Sequence, residues 1–297
     1  MKSVFLVLID LVEDAPRVAA FAARLAVPVG AELVLLVVET PSVPEPAYGL
    51  MMGPVDYLTE RPNIAAPLTQ LARQLLVPAT VEVQAGVLTD VLQQMLAQYQ
   101  PQLLVLGLTA ENSWLDRLLL NPALPVVREL RLPLVLVPTA PAHDFQVPQR
   151  VVVAVDGEPF HLSRPAQDLK PLLSSWVADF TVVHVVAPEA PTAKETNQAL
   201  RVVRMSGVLP VGVTGQRYPV RHSSAADGVL QAADDIRADL LLLIARPRSF
   251  FGGLFHRSVT AEVVRRSTVP LLLLPAAEEP VPVGKPAPGT VYGLDYV

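Results

Sequence analysis

Apolar residues recur along this chain in two rhythms. Short, mostly apolar runs occur at residues 4–9, 32–38, 132–137, 151–155, 180–186 and 271–274, and further runs begin at Leu103 and Leu240. They are bounded by breakers and do not alternate with polar residues, which predicts strands buried on both faces of a parallel sheet. Residues 80–84 and 211–216 are read as two more strands. Between the runs the period changes. Val18, Phe21, Ala22 and Leu25 predict a helix over 15–27, with Asp14 as its N-cap and Pro16 in the first turn. Ile64, Leu68, Leu71 and Leu75 predict a helix over 64–76, and Val87, Val91, Leu92, Met95 and Leu96 one over 87–98. Residues 163–178, 193–205 and 225–236 read as helices too, the first kinked at Pro171.

The pattern occurs twice. Residues 103–138 and 240–275 each run strand, loop, helix ending in Val-Val-Arg, then an aliphatic strand closed by proline. Upstream, VFLVLID at 4–10 matches RVVVAVD at 150–156, a strand ending in aspartate. Asp10 and Asp156 are 146 positions apart and the later stretches 137, so the two copies run in step with a net loss of about 9 residues between them. A repeat this long fits two domains rather than a solenoid. We place them at 1–139 and 150–275, with a linker at 140–149 and a Pro/Gly-rich tail at 276–297. Strands alternating with helices predict an α/β fold, and ligands of such sheets sit beyond the carboxyl ends of the strands. If strands one and four are neighbours, each aspartate shares a crevice with the loop leaving strand four. Strands 132–137 and 271–274 are apolar edges that need a partner, each being the natural cover for the other.

Composition narrows the function classes. Of 297 residues 51% are hydrophobic and 17% charged, which excludes disorder for most of the chain. A net charge of −5 gives no electrostatic footprint for nucleic acid. There are no cysteines, hence no disulfides or thiolate metal sites. No apolar run is long enough for a membrane helix, and Asp10 interrupts the N-terminal run before a signal-peptide core is complete. A soluble cytoplasmic protein is expected. None of His143, His161, His184, His222 and His256 stands at metal-ligand spacing from another, and Ser223 and Ser224 form no nucleophile elbow. No catalytic constellation is present, so a non-enzyme is expected. Residues 41–62, with Tyr48, Met51, Met52 and Tyr57, read as a long loop, and the tail ends in Tyr292, Leu294, Tyr296 and Val297, side chains suited to docking on a surface.

Two copies of a strand ending in aspartate, with a loop and a Val-Val-Arg helix before a proline-ended strand, resemble the universal stress protein family, here as a tandem pair. The resemblance implies two Rossmann-like domains of strand order 3-2-1-4-5, pairing through strand five as a pseudo-two-fold pair. Members that bind ATP carry Gly-x2-Gly-x9-Gly-Ser/Thr after strand four. Glycines there let backbone N–H groups approach phosphate and tolerate positive φ, and the hydroxyl residue opens a helix whose N-terminus favours anions. The first half keeps Gly107 but has Ala110, Leu120 and Asn121 at the later positions, followed by Pro122. The second has Ile244 (beside Ala245), Pro247 and Arg257, and keeps Ser258, Val259 and Thr260. A non-glycine forced into a left-handed conformation costs roughly 1–2 kcal/mol, and Leu120 and Arg257 would point atoms to where phosphate should lie.

The residues that the resemblance assigns to a nucleotide are therefore Asp156, Ala245, Ser258, Val259 and Thr260 in the second half, and Asp10, Gly107 and Asn121 in the first. Each aspartate has a structural alternative, capping a loop, and Asn121 and Ser258 have one as helix N-caps. Arg246, Arg248 and Arg257 either meet anions by side chain, or are solvated or pair with acids such as Glu262 or Asp227. The favoured reading is a non-catalytic stress-response or interaction module with degenerate nucleotide loops and no cofactor. The alternative is an ATP-binding regulator that uses the second half only. A homodimer and an unidentified protein partner stay open.

Overall fold

The computed structural model describes residues 3–39, 64–108, 132–139, 146–189, 192–246 and 259–277, the side chains of 192–196 excepted. The first half runs β1 (Val4–Ile9), α1 (Ala15–Ala26), β2 (Glu32–Glu39), α2 (Ala65–Gln74), β3 (Ala79–Ala85), α3 (Leu88–Tyr99), β4 (Leu103–Gly107) and β5 (Leu134–Val137). The second runs β6 (Arg150–Ala154), α4 (Arg164–Asp168), α5 (Lys170–Ser175), β7 (Asp179–Val186), α6 (Thr192–Ser206), β8 (Gln216–Arg221), α7 (Ala225–Ile236), β9 (Leu240–Ala245), α8 (Val259–Arg266) and β10 (Leu271–Pro275).

The ten strands form one sheet in the order β3-β2-β1-β4-β5-β10-β9-β6-β7-β8. Each half is thus a 3-2-1-4-5 parallel sheet. The exception to parallel pairing is the junction, where β5 and β10 run antiparallel with Leu136 opposite Leu271, Val135 opposite Leu272 and Leu134 opposite Leu273. Helices on both faces explain the absence of alternation in the strands. Phe5, Val7 and Ile9 of β1 enter the core on the side of α1, α2, α4, α5 and α6, while Leu6 and Leu8 enter the one under α3, α7 and α8. The outer edges are β3 and β8. Pro219 lies in β8, where a missing ladder donor is tolerated because the strand is an edge.

Several local expectations change. Asp14 stands at the N-cap position of α1 but its side chain makes no capping bond, because its Oδ1 accepts from Arg17 Nη2 at 2.7 Å. The expected helix 163–178 is two short helices broken at Leu169, with Pro171 in the first turn of the second. The expected strand 211–216 begins only at Gln216: Val211 is fully exposed, and Gly212 and Gly215 adopt φ of +85° and +65° in turns that precede the strand. The expected loop 41–62, Asn121, Ser258 and the tail beyond Ala277 lie outside the described residues.

One difference between the halves bears on function. Residues 10–14 connect β1 to α1, whereas residues 155–163 connect β6 to α4. The longer connector runs beside the end of β10: Ser163 N–H donates to the Pro275 carbonyl at 2.8 Å, Ala277 N–H to that of His161 at 2.7 Å, and Leu162 bridges Ala276.

Leu272 is wholly buried at the β5–β10 junction. Leu272→Ala should lower the stability by roughly 2–5 kcal/mol. In urea unfolding this would appear as a lower midpoint; a changed slope would mean that the two halves no longer unfold together.

Candidate functional site

At the carboxyl ends of β6, β7 and β9 the second half opens a cleft of about 690 Å³. Its floor is the strand ends, including Leu243 and Ile244; its far walls are α7 through Ala225 and Val229 and α8 through Val259, Thr260 and Val263. Apolar carbon dominates this surface. Three polar side chains with ionisable or strongly charged heads line it: Asp156, His184 and Arg246.

Arg246 is the last described residue after β9, and its guanidinium reaches back over the connector that follows β6. Nη2 donates to Asp156 Oδ1 and to the Glu158 carbonyl, each at 2.8 Å, and Nη1 donates to the Pro159 carbonyl at 3.1 Å. The guanidinium carbon also lies 5.7 Å from the centre of the buried Phe160 ring, within cation–π range. Asp156 Oδ1 accepts a second bond from its own connector, Glu158 N–H at 3.0 Å. Asp156 and Arg246 therefore fasten residues 156–160 to the end of β9. Of the arginines expected either at an anion or paired with an acid, Arg246 pairs with an acid, though with Asp156 rather than Glu262 or Asp227, which both bind Arg266 at 2.9 and 2.6 Å; Arg248 and Arg257 lie outside the described residues.

His184, on β7, packs its ring against Gly157, where a Cβ would stand 3.4 Å from Cε1 and where φ is +79°. Its Nδ1 is 2.9 Å from the Val155 carbonyl. A carbonyl can only accept, so Nδ1 carries the proton, and in the neutral ring Nε2 presents a lone pair.

The α7–α8 wall is tied by the Arg266–Asp227 ion pair, with Ser224 Oγ capping α7 by accepting from Asp227 N–H at 3.2 Å. The hydrogen bond from Arg266, then that with Ser224, holds the Asp227 carboxyl below its ordinary pKa of 3.8. A lowered carboxylate pKa stabilises the fold above the ordinary value, and the contribution is lost as pH falls through the lowered one.

Beside Asp10 in the first half, the described residues fill most of the space between the end of β1, Gly107 and α1. The space bounded by Leu8, Asp10, Asp14, Val18 and Gly107 holds about 10 Å³, too little for more than one water. Its short connector brings α1 down onto β4. A Cβ on Gly107 would lie 3.0 Å from Val18 Cγ2. Gly107 thus serves close helix–strand packing, and its φ is not positive, unlike the expected phosphate-cradling role. Arg17 crosses the same place, donating to the Val137 carbonyl at 3.0 Å and to that of Pro138.

Strands β1 and β4, and β6 and β9, are neighbours, so each aspartate does share a crevice with the end of strand four. Of the sequence-predicted residues, Asp156, Val259 and Thr260 line the large cleft. Ala245 is buried, its carbonyl accepting from Ala276 N–H at 2.9 Å. Asp10 and Gly107 border the filled space, and Asn121 and Ser258 lie outside the described residues. Sequence reasoning missed His184, Phe160 and the Arg246–Asp156 pair. His184 had a signal, a polar residue inside an otherwise aliphatic strand; the pair had none, because its partners are 90 positions apart.

The model of the universal stress protein family matches residues 1–138 and 148–275. The chain belongs to that family. Solved structures with the same fold include a universal stress protein from Archaeoglobus fulgidus DSM 4304, at 17% identity and TM-score 0.60, covering 93% of this chain and 97% of that one. A functionally unknown protein from Pseudomonas aeruginosa PAO1 aligns at 16% identity and TM-score 0.57, over 93% of both chains. The cytoplasmic domain of a prokaryotic cation chloride cotransporter aligns at 12% identity and TM-score 0.57, covering 92% of this chain and 95% of that one. At these identities the likeness is one of fold. No curated protein matches the chain. Among the described residues of this family member, no group of His, Asp and Glu is placed to hold a metal ion, and no helix is long and apolar enough to cross a membrane.

Arg246→Ala should release the connector, seen as faster hydrogen exchange at the Glu158 amide while the amides of β9 stay protected. Carboxyl NMR should place the Asp227 midpoint below 3.8, and Arg266→Ala should move it up towards that value.

Proposed function

We propose that this tandem universal stress protein is a non-catalytic stress-response module in which the first half is structural and the second alone accepts a small ligand. The observation that carries the reading is the second-half cleft of about 690 Å³ at the strand carboxyl ends, against about 10 Å³ beside Asp10 and α1 in the first half. The larger volume lies in the range of small-molecule sites, which are mostly apolar with a few placed polar groups. The two family-type units are taken as 1–139 and 150–275. Their pairing through β5 and β10 makes the chain its own partner, and a change in the second cleft would be read by a further protein. A soluble cytoplasmic location fits this role.

Degenerate nucleotide loops are part of the proposal. In family members that bind ATP, the aspartate after strand one meets the nucleoside; in this chain the Asp156 carboxylate is shared between Arg246 and a backbone N–H. The described donor set does not suit a triphosphate. Arg246 turns its N–H groups back onto two carbonyls and a carboxylate, and Asp156 itself would repel phosphate. The alternative, an ATP-binding regulator that uses the second half, is favoured by the cleft's place at the strand carboxyl ends and by Val259 and Thr260 in its wall.

A thermal melt with millimolar ATP and Mg²⁺ separates the two. Ligand at a hundred times its Kd stabilises by about 2.7 kcal/mol, so a nucleotide regulator would melt later. We expect an unchanged melting temperature and no phosphate release. A rise that disappears in Asp156→Ala would transfer the assignment to the alternative.

A further inference from the structure

The geometry points to a specific ligand class for the second-half cleft: an uncharged aromatic molecule whose N–H or O–H groups donate to Asp156 and His184, with phosphate esters and carboxylates disfavoured. This rests on reading the cleft as a ligand site, and it follows from which polar valences are spent and which are open.

Arg246 would be the natural anchor for an anion, yet its bonds to the Glu158 and Pro159 carbonyls and to Asp156 turn it into a clamp on the connector. An anion that recruited it would take this donor from two carbonyls and a carboxylate, and so unfasten residues 156–160. The open valences are acceptors. Asp156 is about half exposed, and its Oδ2 has no partner among the described residues, since both of its bonds go to Oδ1. His184 Nε2 offers a lone pair because Nδ1 donates to Val155. Thr260 adds a hydroxyl that either gives or takes a bond. A negatively charged ligand would meet the lone pairs of Asp156 and His184, while an N–H or O–H donor would satisfy them. The walls set the rest: Phe160, Val185, Val229, Leu243, Val259 and Val263 surround the polar corner with apolar carbon, which favours a flat hydrophobic body. The Asp156–Arg246 ion pair leaves the corner without a net formal charge, so a full cation has no strong call on it.

Three probes of one shape test this: indole, N-methylindole, which lacks the donor, and indole-3-acetate, which adds a carboxylate. Dissociation constants are measured by ligand-observed NMR on the whole chain, with the ATP melt run in parallel. Indole should bind, and the other two about fivefold or more weakly, as loss of one hydrogen bond predicts. His184→Phe keeps a ring at that position and should weaken indole to the level of N-methylindole while leaving N-methylindole unchanged. Val259→Trp, at a partly exposed wall residue outside the core, should abolish indole binding with the melting temperature retained. Equal binding of indole and N-methylindole would overturn the proposal, as would tighter binding of indole-3-acetate. Absence of indole binding up to its solubility limit overturns it too. In that event a melt shift with ATP would leave the cleft standing as a ligand site, and no response to either would remove both.

Discussion

Two strands of leucine and valine, β5 and β10, would each present apolar side chains on both faces and a free row of backbone groups if left at an edge. Their antiparallel pairing removes both problems and joins two five-stranded sheets into one of ten strands. That pairing also sets where chemistry can occur. Because each half is parallel within itself and the junction is antiparallel, the carboxyl ends of β1–β5 and of β6–β10 open at opposite edges of the sheet. The two crevices therefore share no strand end, and filling one leaves the other untouched.

Within that frame the connector after strand one differs between the halves. In the first half, residues 10–14 are just enough to turn from β1 into α1, so Val18 is driven against Gly107 and Arg17 reaches the carbonyls at the end of β5. In the second, residues 155–163 run alongside the end of β10 before α4 begins. Both halves place one arginine over the strand ends. Arg17 comes from the helix and closes the space, whereas Arg246 comes from the strand and holds the connector back from it.

The fold was largely legible because both faces of each strand are buried. Leu6 and Leu8 face one helical layer and Phe5 and Val7 the other, so the strands appear as mostly apolar runs and the repeat is plain. The reading failed where local chemistry outweighed pattern. Val211 and Val213 looked like strand, but the glycines at 212 and 215 take left-handed turns there, and the strand that follows carries Pro219 at an edge. Asp14 looked like a cap, but Arg17 one turn along offers a charged donor that its carboxylate takes instead. At the site, the aspartates and the strand-four ends were foreseeable from motif and topology. The Asp156–Arg246 pair was not, since its partners meet only once β6 and β9 are adjacent.

The Asp156–Arg246 pair works against an anion at this corner. It commits the Arg246 guanidinium to two backbone carbonyls and balances the carboxylate beside it. Freeing Arg246 alone would unfasten residues 156–160 and expose Asp156, whose charge would then oppose any phosphate brought near. What the cleft retains is a large apolar volume with the acceptors of Asp156 and His184 at one corner. In such a site, shape and hydrogen-bond donation discriminate between ligands more strongly than charge does.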